Sequence, residues 1–127
     1  MQAVLLVGAG GAIGAMGRYG VGVAAGRVLP LSFPYGTLLV NVAGSLLMGV
    51  LVGLLARFTP DWQNEARLFL AVGVLGGFTT FSSFSLDTIV LVERGALLQA
   101  AFYVAASVIL SILALYCGLL ITRGGMA

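Results

Sequence analysis

Residues 76–85 read Gly76-Gly77-Phe78-Thr79-Thr80-Phe81-Ser82-Ser83-Phe84-Ser85, within a mostly apolar run from Leu68 to Val92. About 20 predominantly apolar residues suffice to cross the hydrocarbon core of a bilayer as a helix. The first half of this run meets that description, but its second half is rich in hydroxyls. A glycine pair followed by two threonines is a poor helix, so the expectation is a third membrane helix broken near its middle. Irregular backbone survives at membrane depth where it is buried in protein or lines a cavity, and the carbonyls it frees are good ligands for a hard cation. The alternative is a continuous helix whose hydroxyls bond back to the preceding turn.

Working outward, three more stretches have the length and polarity of spans: Val4 to Gly26, Tyr35 to Ala56, and Ala96 to Thr122. The expected architecture is all-α, one transmembrane domain over residues 1–127 with spans near 4–26, 35–56, 68–92 and 96–122. Pro30 and Pro34 stop the helix in the first connector, Pro60-Asp61-Trp62 suits an interfacial loop with an aromatic anchor, and Glu93-Arg94-Gly95 makes the last turn. The apolar start lacks a basic leader and runs past the usual signal-peptide core of about 7–15 residues, so it reads as a retained span. Composition agrees: 61% of residues are hydrophobic and 8% charged, where soluble domains carry about 25% charged.

Lysine and histidine are absent, and the six basic residues are all arginine. Arg57, Arg67 and Arg123 fall on the side of the termini; Arg27 and Arg94 fall on the other, with Arg18 nearer to that side. Orientation normally follows a clear excess of basic residues, and here the balance is nearly even. Either a weak bias fixes one orientation, or copies insert both ways and pair head to tail. Four thin helices cannot enclose a pore and also pack on one another, so transport points to an oligomer, and an antiparallel two-fold dimer would use both orientations.

Glycine is abundant, at 19 residues. Gly8, Gly11, Gly14, Gly17 and Gly20 recur every three residues; Ser45, Gly49 and Gly53 recur every four. Such small-residue spacings let membrane helices approach closely. Residues 8–14 only faintly imitate a dinucleotide loop, since Ile13 takes the third glycine position and no acidic residue follows at the right distance.

Polar groups at membrane depth must find partners and mark function by default. Asn41, in the second span, is either interhelical glue or a donor turned toward an anion path. Phe81 and Phe84 share a helix face and could present partly positive ring edges to an anion. Weak, multiple contacts of that kind are what conduction requires. Tyr103, Ser107 and Ser111 recur every four residues on the last span, as a stripe of hydroxyls. Nothing in the chain resembles a catalytic triad or a zinc site, the lone Cys117 excludes an internal disulfide, and the small net charge gives no nucleic-acid footprint. No enzyme chemistry is expected.

Taken together, Gly14-Ala15-Met16-Gly17-Arg18-Tyr19, residues 36–45 from Gly36 through Asn41 to Ser45, and residues 76–84 resemble the Fluc (CrcB) family of bacterial fluoride channels. The resemblance implies an antiparallel, dual-topology homodimer in the bacterial inner membrane that exports fluoride passively and relieves its toxicity. It implies two pores along the subunit interface and a structural sodium ion (Na+) at the dimer centre. By matching positions, Asn41, Phe81, Phe84, Tyr103, Ser107 and Ser111 would line the fluoride path, with Arg18, Thr80, Ser82 and Ser83 as further candidates. Backbone carbonyls of Gly76 and Thr79 would hold the sodium. Asp87 stands where a longer acid is expected, and Leu115 where some members carry a hydroxyl. Rival readings are a small dual-topology drug exporter coupled to protons, which would want a glutamate that the first span lacks, and a non-transporting membrane subunit.

Overall fold

The computed structural model describes residues 1–123. Four segments are long and apolar enough to cross a membrane: Gln2–Val28, Tyr35–Phe58, Gln63–Glu93 and Leu97–Arg123. In chain order the helices are α1 (Gln2–Val28), α2 (Tyr35–Phe58), α3 (Gln63–Ala66), a π-wound stretch Arg67–Leu75, α4 (Gly76–Phe78), α5 (Phe81–Glu93) and α6 (Leu97–Arg123). The third segment starts at Gln63 instead of Leu68 because Gln63-Asn64-Glu65-Ala66 forms a polar opening turn. The amides of Gln63 and Ala66 donate to the carbonyls of Pro60 and Trp62 there.

Glycine sets which segments touch. Gly10 of α1 sits against the Phe69 carbonyl and the backbone of Gly73, and Gly14 against the Val74 carbonyl. Farther along, Gly17 meets the Phe78 ring. The numbers rise together, so α1 and the first half of the third segment run parallel. The same holds for α2 and α6: Gly49 backs onto the Leu115 carbonyl, Gly53 onto Thr122, and Gly118 onto Leu46 and Val50. The short connectors reverse the chain between these two parallel pairs. A π-wound helix closes i→i+5 hydrogen bonds in place of i→i+4; the bare backbone of Gly10 and Gly14 lets α1 lie directly on it.

Between α4 and α5, Thr79 (φ −85°, ψ 158°) and Thr80 (φ −152°, ψ 121°) take extended dihedrals. The last turn closes on Gly95 at φ 84°, a left-handed conformation that glycine adopts without a Cβ penalty. Leu91, Ala100 and Tyr103 form a small core, with Phe33, Leu38, Phe84 and Ala96 packed against it. Most other large apolar side chains face outward, including Phe81, which is 78% exposed.

A Cβ on Gly14 would strike backbone atoms of Val74 and Phe78, whereas one on Gly8 would meet nothing within 4 Å. Alanine is the better helix former by about 1 kcal/mol, so Gly8→Ala should hold or raise thermal stability in detergent. Gly14→Ala should lower it by about 1–3 kcal/mol through overpacking. Equal melting temperatures for the two variants would contradict this packing.

Candidate functional site

The extended Thr80 lacks the helical partners of its neighbours, and Asn41 supplies them. The Thr80 N–H donates to Asn41 Oδ1 at 2.8 Å, and Asn41 Nδ2 donates to the Thr80 carbonyl at 3.1 Å. One amide side chain thus pairs with both backbone groups, leaving one Asn41 N–H. The Thr80 hydroxyl caps α5 by accepting from the Ser83 N–H at 3.2 Å. A side-chain oxygen that answers an orphan amide in this way stabilises a helix start.

These two diversions release two carbonyls. The amide that would close a helical turn onto Gly76 belongs to Thr80 and is held by Asn41. The amide that would close onto Thr79 belongs to Ser83 and is held by the Thr80 hydroxyl. Neighbouring carbonyls are occupied: Leu75 accepts from Thr79, and Gly77 accepts from Arg18 Nε at 3.2 Å. Carbonyl oxygens suit a hard cation, so Gly76 and Thr79 are the right donors for one. Among the described residues, no cluster of three His, Cys, Asp or Glu could hold a metal.

A cavity of about 340 Å³ opens beside the clamp. Asn41 and Ser45 of α2, Thr79, Thr80, Phe81, Phe84, and the α6 residues Ser107, Val108, Ser111 and Ile112 line it, and none is charged. Ser107 is 6% exposed. Its hydroxyl and that of Ser111 are enclosed without a hydrogen-bond partner. Leaving a buried polar group unsatisfied costs about 1–3 kcal/mol, so two of them in one cavity point to a guest that accepts hydrogen bonds. The rings of Phe81 and Phe84 lie 5.5 Å apart by centroid, and Phe84 and Tyr103 5.2 Å.

Other candidates lie elsewhere. Tyr103 is fully buried behind Phe84, and its hydroxyl donates to Asp87 Oδ2 at 3.1 Å, beside Thr37. Arg18 and Ser83 line a second cavity of about 310 Å³ with Tyr19, Thr37 and Val40. Thr80 borders both cavities. Ser82 is exposed, its hydroxyl 3.3 Å from that of Thr80. Gly76 is exposed and Thr79 half-buried, with the Thr79 methyl against Gly44.

Residues 5–119 match the family model described as CrcB-like protein, Camphor Resistance (CrcB). The chain belongs to the CrcB family. Similar CrcB relatives include a fluoride-specific ion channel FluC of Chelativorans sp. (strain BNC1), 59% identical over 97% of this chain and 98% of that protein. The corresponding proteins of Agrobacterium fabrum (strain C58 / ATCC 33970) and Hyphomonas neptunium (strain ATCC 15444) are 55% and 54% identical. The alignments cover 94% and 97% of this chain, and 95% and 97% of the respective relatives.

Two polar residues at this CrcB site were not singled out by sequence reasoning, Ser45 in the cavity wall and Thr37 beside Tyr103. The signal was present: Thr37, Asn41 and Ser45 are four apart on α2, a stripe like that of Tyr103, Ser107 and Ser111 on α6. Asn41→Ala should leave the Thr80 N–H and carbonyl unpaired, costing about 1–3 kcal/mol. Hydrogen exchange should then speed up at the Thr80 amide and stay slow at Leu91; unchanged protection at Thr80 would contradict the clamp.

Proposed function

We propose that this chain is a fluoride-selective channel, a multi-pass protein of the bacterial inner membrane that exports fluoride passively and relieves fluoride toxicity. It is not an enzyme, and nucleic acid is no partner. The observation that carries this reading is the uncharged cavity in which Ser107 and Ser111 present partnerless hydroxyls beside the Phe81 and Phe84 rings. Such donors can replace part of the water shell of a small anion. A full positive charge in the wall would hold the anion too tightly to pass it on. The fluoride-specific names of the CrcB relatives supply the ion.

The working unit in this reading is an antiparallel homodimer of dual-topology subunits, each a single four-helix transmembrane domain surrounded by lipid. Phe81, 78% exposed beside the cavity, would face the second subunit, so that the pathway is completed at the interface. The break at Thr79-Thr80 would lie mid-membrane, and the released Gly76 and Thr79 carbonyls of both subunits would hold a structural Na+, which fixes the two breaks against one another. Asn41 would contribute its remaining N–H to the path, and Arg18, Thr80, Ser82 and Ser83 would stand at its margins.

Fluoride enters cells as neutral hydrogen fluoride and is trapped inside as the anion. A negative interior drives that anion out, with about 2.3 kcal/mol per charge for each 100 mV. No nucleotide and no proton coupling are needed. A proton-coupled exporter would require an acid in the first span, and α1 has none.

Liposomes holding the purified protein should release fluoride without any proton gradient, as read by a fluoride electrode. Phe81→Ile and Phe84→Ile should each slow release roughly two- to tenfold, the equivalent of about 0.5–1.5 kcal/mol of ring interaction. Asn41→Asp, which sets a negative charge at the path, should block it. Liposomes that retain their fluoride with the wild-type protein would contradict the channel reading.

A further inference from the structure

The parallel packing of α2 and α6 matches their polar stripes rung by rung. Thr37 adjoins Tyr103, Asn41 and Ser107 line one cavity, and Gly49 backs onto Leu115. Each rung advances four residues on both helices. The rung between Asn41–Ser107 and Gly49–Leu115 is therefore Ser45 opposite Ser111, and both line the same cavity. The Ser111 hydroxyl is enclosed and partnerless, as is that of Ser107 one turn earlier. Val108 and Ile112 supply apolar wall around this rung. At the next rung, Gly49 presses against the Leu115 carbonyl, so the groove between the helices closes.

We propose that Ser45 and Ser111 together form a second anion subsite, one turn beyond the Asn41–Ser107 level and at the last polar rung before α2 and α6 meet. The inference rests on the channel reading above and extends it to a residue that otherwise serves only close packing. One hydroxyl facing an anion is a weak ligand; two from opposite helices hold it from both sides. A small, hard anion leaving the Asn41–Ser107 level then exchanges one pair of neutral donors for another. The subsite favours fluoride over larger halides because α2 and α6 converge there and the hydroxyls must approach their guest closely.

The test uses fluoride efflux from liposomes with Ser45→Ala, Ser45→Thr and Ser45→Cys, the last in a Cys117→Ser background because Cys117 is exposed. Losing one hydrogen bond to a charged guest, about 1.5 kcal/mol, should slow efflux roughly tenfold in Ser45→Ala at low fluoride. Ser45→Thr, which keeps the hydroxyl, should restore most of the rate. Ser45→Cys should be blocked by aqueous silver ion, a result that a lipid-facing or purely packed position would not give. Efflux at the wild-type rate in Ser45→Ala, with Ser45→Cys insensitive to silver, would overturn the subsite and leave the channel standing. Wild-type protein that passes no fluoride would overturn both.

Discussion

A two-residue stretch of extended backbone inside an apolar helix segment needs a partner for every amide and carbonyl it exposes, because lipid offers none. In this chain a single side chain meets that demand at Thr80. Asn41 pairs with the N–H and the carbonyl of Thr80, and in doing so fixes the path of the third segment against α2. The Thr80 hydroxyl caps the next helix, the Gly76 and Thr79 carbonyls are released, and Phe81 and Phe84 are set at the cavity edge. Removing the amide would unseat all of these at once.

The cavity that results has a mainly apolar wall set with a few polar groups, none of them charged. An arginine or lysine in its wall would bind an anion strongly, and a strongly bound anion does not move on. Hydroxyls, one amide N–H and ring edges each contribute little, and several in succession can balance a small anion's hydration while keeping every step shallow. The matching four-residue rhythm of α2 and α6 gives that succession its spacing. The glycines that bring the two helices together also end the groove, at Gly49 and Leu115.

The four membrane-length helices were legible because composition leaves so few charged residues that no soluble surface can be built. Their starts were less so: the polar turn Gln63–Ala66 carries no apolar signal. The π winding of Arg67–Leu75 was invisible: nothing in the local run signals it, and the glycines that lie against its carbonyls, Gly10 and Gly14, are more than fifty positions away in sequence. Asn41 stood out as a lone amide among apolar neighbours, yet its partner Thr80 is set by tertiary packing and not by local spacing. Ser107 and Ser111 drew notice as part of a hydroxyl stripe. Ser45 did not, because Ser45, Gly49 and Gly53 read equally well as a small-residue packing face. A short serine serves both purposes, and only the cavity separates them.

The proposal that uncharged hydroxyls hold fluoride can be tested directly in membranes. Protein labelled with carbon-13 at serine and reconstituted with fluoride should give a fluorine resonance distinct from the bulk ion in magic-angle spinning NMR. That bound fluoride should dephase the Ser107 Cβ signal through dipolar coupling. A bulk fluoride resonance alone, with the Ser107 Cβ signal unaffected, would contradict the claim that these hydroxyls carry the anion.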